Sequence, residues 1–210
     1  VRCSATAPDG CGISSSPSDF ITSVTTVVHS QTETVDSHTD ESYTLSVSAP
    51  SCRVEAATSV GIVRALETLS QIVFRATVAD SQVLAALEGN VTDAPRFSFR
   101  GLMLDSARHF LPLPVLMQAL DAMSYAKLNV LHWHLVDDQS FPFESAAFPR
   151  LSADGAFPAL AHTYSQSDVA AVVEYARLRG VRVVPEFDTP GHATSWGGGL
   201  PQLLTQCYDA

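Results

Sequence analysis

The stretch 99–136, FRGLMLDSARHFLPLPVLMQALDAMSYAKLNVLHWHLV, switches from one local pattern to another and back again. Phe99 to Leu104 reads as a strand, Pro114 to Leu128 as a helix with proline at its start, where a missing N–H costs nothing, and Asn129 to Val136 as a second strand. The alternation continues downstream. Ser167 to Arg179 is a predicted helix, with Ser165 or Ser167 as N-cap and Gly180 closing it, and Val181 to Phe187 a predicted third strand. Repeated βα units imply parallel strands joined by right-handed crossovers, and so a barrel or a doubly wound sheet.

Upstream the character differs. Residues 1 to about 95 are rich in Ser, Thr and Val. Phe20–Val28 and Ser42–Ser48 are β-prone, the second with near-perfect alternation. Across residues 59–75, Val60, Val63, Leu66, Leu69 and Val73 recur at helical spacing. The expected organisation is a small α+β domain over 1–95 followed by an α/β domain over 96–210.

In either parallel architecture the working end of the sheet is the carboxyl end of its strands. Strand one is followed by Asp105-Ser-Ala-Arg108-His109, strand two by Asp137-Asp138 and strand three by Asp188-Thr-Pro-Gly-His192. All three ends are titratable or charged, and all would meet on one rim. Each cluster also has a plainer reading: Asp137-Asp138 as a turn cap, Arg108 as a surface residue, His132 and His134 as core imidazoles. His132 and His134 share a strand face, so with Asp137 they also fit a metal site. The Pro190-Gly191 turn is expected to need Gly191 at positive φ and to aim His192 back at the rim. Arg108 offers a fork for hydroxyls, the carboxylates accept sugar hydroxyls, and Trp133, Trp196 and Phe141 offer faces of the kind that stack on sugar rings.

Composition narrows the partners. The 210 residues carry a formal net charge of −10, which argues against nucleic acid or an anionic membrane, since phosphate binding needs a basic face. No apolar stretch approaches the roughly 20 residues needed to cross a bilayer. The first residue is Val1 and no signal peptide is evident, as in a processed or excised segment. The four cysteines, Cys3, Cys11, Cys52 and Cys207, show no zinc-ligand spacing. Their even number, with the glycosylation triplet Asn90-Val91-Thr92, points to the secretory pathway.

At this point the chain is recognisable. DESYTLSV (40–47), GIVRALETLSQIVF (61–74), PRFSFRGLMLDSARHFLP (95–112), KLNVLHWHLVDDQSFPFES (127–145), YARLRGVRVVPEFDTPGHATSWG (175–197) and LLTQCY (203–208) resemble the β-N-acetylhexosaminidases of glycoside hydrolase family twenty, above all the eukaryotic lysosomal or secreted enzymes. The likeness runs from about residue 40 to 210. It implies a small α+β domain followed by the first βα units, about three, of a (β/α)8 TIM barrel, an incomplete barrel in this chain. The implied activity is removal of terminal β-linked N-acetylglucosamine or N-acetylgalactosamine, with the substrate's own 2-acetamido oxygen as nucleophile, an exception to the two-carboxylate scheme. Arg108 would bind sugar hydroxyls, Asp137 and His192 would form the network reaching the general acid, and Asp188 would help hold that loop and contribute to substrate binding. No metal or cofactor is expected.

The resemblance also has a gap. In the family an adjacent Asp-Glu pair on a later strand, in a Gly-Gly-Asp-Glu-type motif, orients the acetamide and supplies the acid, and no such motif is in this sequence. This chain alone is therefore expected to be inactive, its partners being terminal N-acetylhexosamine glycans and the remainder of the barrel, as a second chain or a missing segment. A homo- or heterodimer and a lysosomal or extracellular location are further implications. Cys207 would bridge to a cysteine outside this chain, and Cys52 to Cys3 or Cys11. Two rival readings stand beside this one: a sugar-binding or truncated, inactive product, and a metal-dependent hydrolase on a doubly wound sheet using His132, His134, Asp137 and His192.

Overall fold

Alternation builds the first sheet. Strand β3 (Tyr43–Ser48) turns Tyr43, Leu45 and Val47 inward, and its antiparallel neighbour β4 (Ser51–Ala56) adds Cys52, Val54 and Ala56 to the same core. The computed structural model describes residues 2–3, 20–30, 34–78, 81–158 and 162–205. The chain divides into two units, Val1–Ser98 and Phe99–Ala210. In the first, β2 (Ser23–Val28) lies parallel to β4, and β7 (Gly89–Asp93) pairs with β3, giving the order β2-β4-β3-β7. A second sheet joins β1 (Arg2–Cys3), β6 (Ser81–Leu87) and β5 (Val73–Val78).

Helix α1 (Ser59–Ile72) covers the first core. Thr58 caps it, its Oγ1 accepting from Gly61 N at 3.2 Å. Gly61 is required by proximity: a Cβ there would lie 2.6 Å from Ser42 O. Arg64, inside this unit, is neutralised by Glu41 at 2.7 Å. The helix ends three residues before the predicted end, because Val73-Phe-Arg-Ala-Thr-Val78 pairs with β6 instead, and pairing of a β-branched and aromatic run overrides helical periodicity. Cys52 is a free, fully buried thiol whose pKa is pushed up by burial. The expected bridge from Cys52 to Cys3 or Cys11 is therefore not formed here: Cys52 serves as a small apolar residue on the inward face of β4. Cys11 and Cys207 lie outside the described residues.

In the second unit β8 (Gly101–Asp105), β9 (Val130–His134) and β10 (Arg182–Glu186) form a parallel sheet with β9 in the middle. The crossovers are α2 (Leu113–Tyr125) and α4 (Gln166–Arg177). Helix α2 stops three residues short of the predicted Leu128. Lys127 takes φ 54°, and Lys127 N and Leu128 N donate to Ser124 O and Met123 O, a Schellman closure with lysine where glycine is usual. Helix α4 begins with a capping box, Ser165 with Asp168, and closes on Gly180 at φ 66°.

The sheet is two-faced. Leu131 and Trp133 of β9, with Leu104 and Val183, pack against Leu116, Leu120 and Met123 of α2 and Val172 and Ala176 of α4. On the opposite parity Met103 and Val184 are 50% and 39% exposed, with His132 between them in register. The short helices α3 (Arg150–Gly155) and α5 (Trp196–Gly199) meet backbone to backbone: a Cβ on Gly199 would lie 2.4 Å from Arg150 O. No helix among the described residues is long and apolar enough to cross a membrane.

Candidate active site

Parallel register brings the three strand ends into one row, with Asp105 of β8 beside His134 of β9 and His134 beside Glu186 of β10. His134 is the buried centre of the row. Its Nδ1 lies 2.6 Å from Glu186 Oε2 and its Nε2 2.8 Å from Asp137 Oδ2. His132, two residues earlier on the same face, reaches the same Glu186 oxygen at 2.7 Å.

Asp137 is 1% exposed and is the hub of the rim. Besides His134, Oδ2 meets Arg108 at 2.9 Å, while Oδ1 accepts from Asp138 N at 2.5 Å and faces His192 Nδ1 at 3.1 Å. Burial pushes this carboxyl up. The bonds from His134, Asp138 and His192 and the Arg108 charge outweigh it and hold the group at about 2. His134 shows the opposite balance: burial pulls its imidazole down, but the bonds to Glu186 and Asp137 raise it above the ordinary value. Glu186 is held low, first by His134.

Arg108 is gripped before any ligand arrives. Asp105 Oδ2 meets one guanidinium nitrogen at 2.9 Å, Asp137 meets another, and Asp105 Oδ1 accepts from the backbone N–H groups of Ala107 and Arg108. The side chain remains 43% exposed, so the fork is oriented but accessible. Trp133 anchors this loop from beneath, its indole N–H donating to Ser106 Oγ at 2.9 Å.

The loop after β10 differs from expectation in one conformational detail. The left-handed residue is His192, φ 55°, while a Cβ on Gly191 would meet nothing within 4 Å, so the turn does not need that glycine. Nor does Asp188 tie the loop. It is half-buried with its carboxylate near His134 and Glu186, and among the described residues none of its hydrogen bonds holds residues 189–195. Asp138 and Asp137 do so instead: Asp138 Oδ1 accepts from Thr194 N at 2.8 Å, which keeps its carboxyl low, and the Asp137 carbonyl accepts from Ser195 Oγ at 2.5 Å. Trp133 and Phe141, expected as stacking faces, are instead core residues at 0% and 2% exposure. Only Trp196 of the three is partly exposed, and it packs edge-on against Phe141.

Arg108, Asp137 and His192 thus come together as predicted, with Asp188 at their margin. From the sequence His134 is a core imidazole or a metal candidate, and Glu186 has no assigned role. A signal for Glu186 existed: a carboxylate inside the run VRVVPEF needs a partner, because an unpaired buried charge is costly. Three trios, Asp105-His134-Asp137, His134-Glu186-Asp188 and Asp137-Asp138-His192, have ligand atoms within 4.8 Å of one another. In each, a histidine nitrogen already faces a carboxylate at hydrogen-bond distance, so the arrangement is that of an interlocked hydrogen-bond network.

A parallel α/β sheet whose strand ends carry a preset guanidinium, interlocked carboxylates and an accessible imidazole offers the groups that bind and orient a polar, hydroxyl-rich ligand. The chain belongs to glycosyl hydrolase family 20: the profile of its catalytic domain matches residues 97–210, and that described as "beta-acetyl hexosaminidase like" matches residues 5–72. The second match reaches well upstream of residue 40, where the motif likeness began. Curated relatives include beta-hexosaminidase subunit beta of Felis catus, 49% identical over 89% of this chain and 34% of the relative. The subunit beta of Homo sapiens is 51% identical over 80% and 30%, and the subunit alpha of Rattus norvegicus 49% over 80% and 31%. The chain spans about a third of the length of these relatives. Among solved structures, Flavobacterium johnsoniae chitobiase superimposes with a TM-score of 0.73 at 37% identity, covering 80% of this chain and 25% of that one. The exo-β-N-acetylglucosaminidase of Vibrio harveyi, solved with N-acetylglucosamine, gives 0.72 at 30%, covering 89% and 30%.

Proposed function

We propose that this chain supplies one rim of the active site of an exo-acting β-N-acetylhexosaminidase that removes terminal β-linked N-acetylglucosamine or N-acetylgalactosamine from glycans. The observation that carries the reading is the convergence of Arg108 and His192 on one buried carboxylate, Asp137, at the carboxyl end of parallel strands. Arg108 presents its remaining N–H groups to the hydroxyls of the terminal sugar. Asp137, ionised throughout the working pH range, fixes His192 through Nδ1 and leaves Nε2 for the general acid. Asp188 lies beside that network and completes the edge of the sugar site.

The acid itself comes from outside this sequence: the Gly-Gly-Asp-Glu-type motif is absent, and the one adjacent Asp-Glu pair, Asp40-Glu41, lies upstream of the barrel strands with Glu41 paired to Arg64. The exposed sheet face at Met103 and Val184, and the outer edges of β8 and β10, which pair with no other strand among the described residues, support a barrel completed by further βα units. Residues 1–210 alone are then inactive. Catalysis is retaining, with the 2-acetamido oxygen of the substrate attacking its own anomeric carbon and the oxazolinium opened by water. A glycan on Asn90, exposed on edge strand β7, a disulfide from Cys207 to a cysteine outside the chain, pairing of subunits and a lysosomal or secreted location complete the proposal.

The test compares aryl β-N-acetylglucosaminide with aryl β-glucoside in the full-length protein. The expected result is turnover of the acetamido sugar with the β-anomer released first, and none of the glucoside. Equal turnover of both sugars, or release of the α-anomer first, would rule out the acetamido nucleophile.

A further inference from the structure

We infer that His134 is a positioning residue, an imidazolium protonated on both nitrogens that clamps Asp137 to Glu186 and so presents the second oxygen of Asp137 to His192. The geometry requires two protons. An ionised carboxylate only accepts, and His134 faces one on each side, Glu186 at 2.6 Å and Asp137 at 2.8 Å. A neutral imidazole would turn a lone pair toward one of them. Register fixes the clamp in place, since His134 and Glu186 are Cα partners across β9 and β10.

The surroundings favour the cation from every packed element. From β8 comes Asp105; from β10 and the residues after it, Glu186 and Asp188; from the segment after β9, Asp137. The other groups facing these carboxylates are engaged: Arg108 sits between Asp105 and Asp137, and His132 bonds to Glu186. The His192 ring stands edge-on at 6.2 Å, touching Asp137 through its other oxygen. His134 therefore acts on His192 only through the orientation and ionisation of Asp137. The raised basicity of His134 and the low basicity of Asp137 and Glu186 agree with this arrangement.

The inference rests on the function proposed above, and its test keeps the two apart. In the full-length protein, His134→Gln removes the cation and the second bond, so Asp137 holds its proton to higher pH. The acid limb of kcat should move up by about 1 pH unit, with KM little changed. Glu186→Gln preserves the shape but removes one carboxylate charge, which lowers the pKa of His134, so kcat should fall at the basic end of the profile. A pH profile that both variants leave in place while kcat drops by one factor throughout would overturn the inference. Neutron diffraction supplies a readout independent of activity: deuterons on both His134 nitrogens are expected at neutral pH, and a single deuteron would overturn the clamp. Wild-type protein inert toward N-acetylhexosaminides refutes the proposed function, while the neutron result still decides the protonation of His134.

Discussion

Replacing Asp137 by asparagine keeps the shape of the side chain and removes its charge, and the structure allows the cost to be worked out. The carboxylate faces four donors, His134 Nε2, an Arg108 guanidinium nitrogen, Asp138 N and His192 Nδ1. An amide NH2 must take the place of one oxygen, so two of those four then face a donor whichever way the amide is turned. The electrostatic share follows from linkage. The gap between the ordinary 3.8 and about 2, at about 1.36 kcal/mol per pH unit, corresponds to about 2 kcal/mol. Because the folded-state pKa is depressed, this stabilisation is fully present above pH 3.8 and is lost as pH falls toward 2. Unsatisfied buried donors add about 1–3 kcal/mol at any pH. Asp137→Asn should therefore cost about 3–5 kcal/mol at pH 7, in line with breaking a buried charge pair. Denaturant unfolding of wild type and variant at several pH values between 7 and 2 measures the difference, which should shrink by about 2 kcal/mol across the acid end of that range. A difference below 0.5 kcal/mol at neutral pH, or one that does not change with pH, would refute the reasoning.

Other perturbations separate binding from scaffold. Arg108→Ala should raise KM and lower kcat/KM for N-acetylhexosaminides, yet cost no more than about 1 kcal/mol of stability, because its partly exposed ion pairs are solvent-screened; a collapse in melting temperature would make the residue structural. Gly199→Ala should destabilise by about 1–3 kcal/mol, since its new methyl meets the backbone of α3, whereas Gly191→Ala should be near neutral. Thermal melts of the two variants give the comparison, and equal melting temperatures would contradict it. Asn90→Gln should abolish a mass loss on treatment with peptide N-glycosidase, and no mass loss in wild type would remove the glycan from the account.

Local chemistry made the second unit readable. Each of its strands is a short apolar run closed by a polar residue, and each crossover helix carries a recognisable start or stop, Pro114 in α2, Ser165 and Gly180 in α4. Where reading failed, a tertiary contact decided. Val73 continues the helical spacing of α1 but finds a β-partner in Ala86, and β5 to β7 form sheets whose pairing no local pattern announced. Lys127 takes a conformation glycine prefers, which hid the end of α2. The site shows the same division. Arg108, Asp137 and His192 follow strand ends and could be found by position, whereas Glu186 falls inside the predicted strand Val181 to Phe187 and becomes visible only when β10 ends on it and register brings His134 beside it. Trp133 was misjudged because an indole in an apolar strand serves a core and a sugar equally well until its N–H partner, Ser106, is known.

The most direct test of the central claim is the hydrolysis of an aryl β-N-acetylglucosaminide by the full-length protein and by residues 1–210 alone, side by side with their Asp137→Asn variants. Turnover by the full-length protein, its loss on Asp137→Asn, and none by residues 1–210 is the expected result. Turnover by residues 1–210 alone, or full-length activity untouched by Asp137→Asn, would contradict the claim that this chain holds the gripping rim of a site whose acid lies elsewhere.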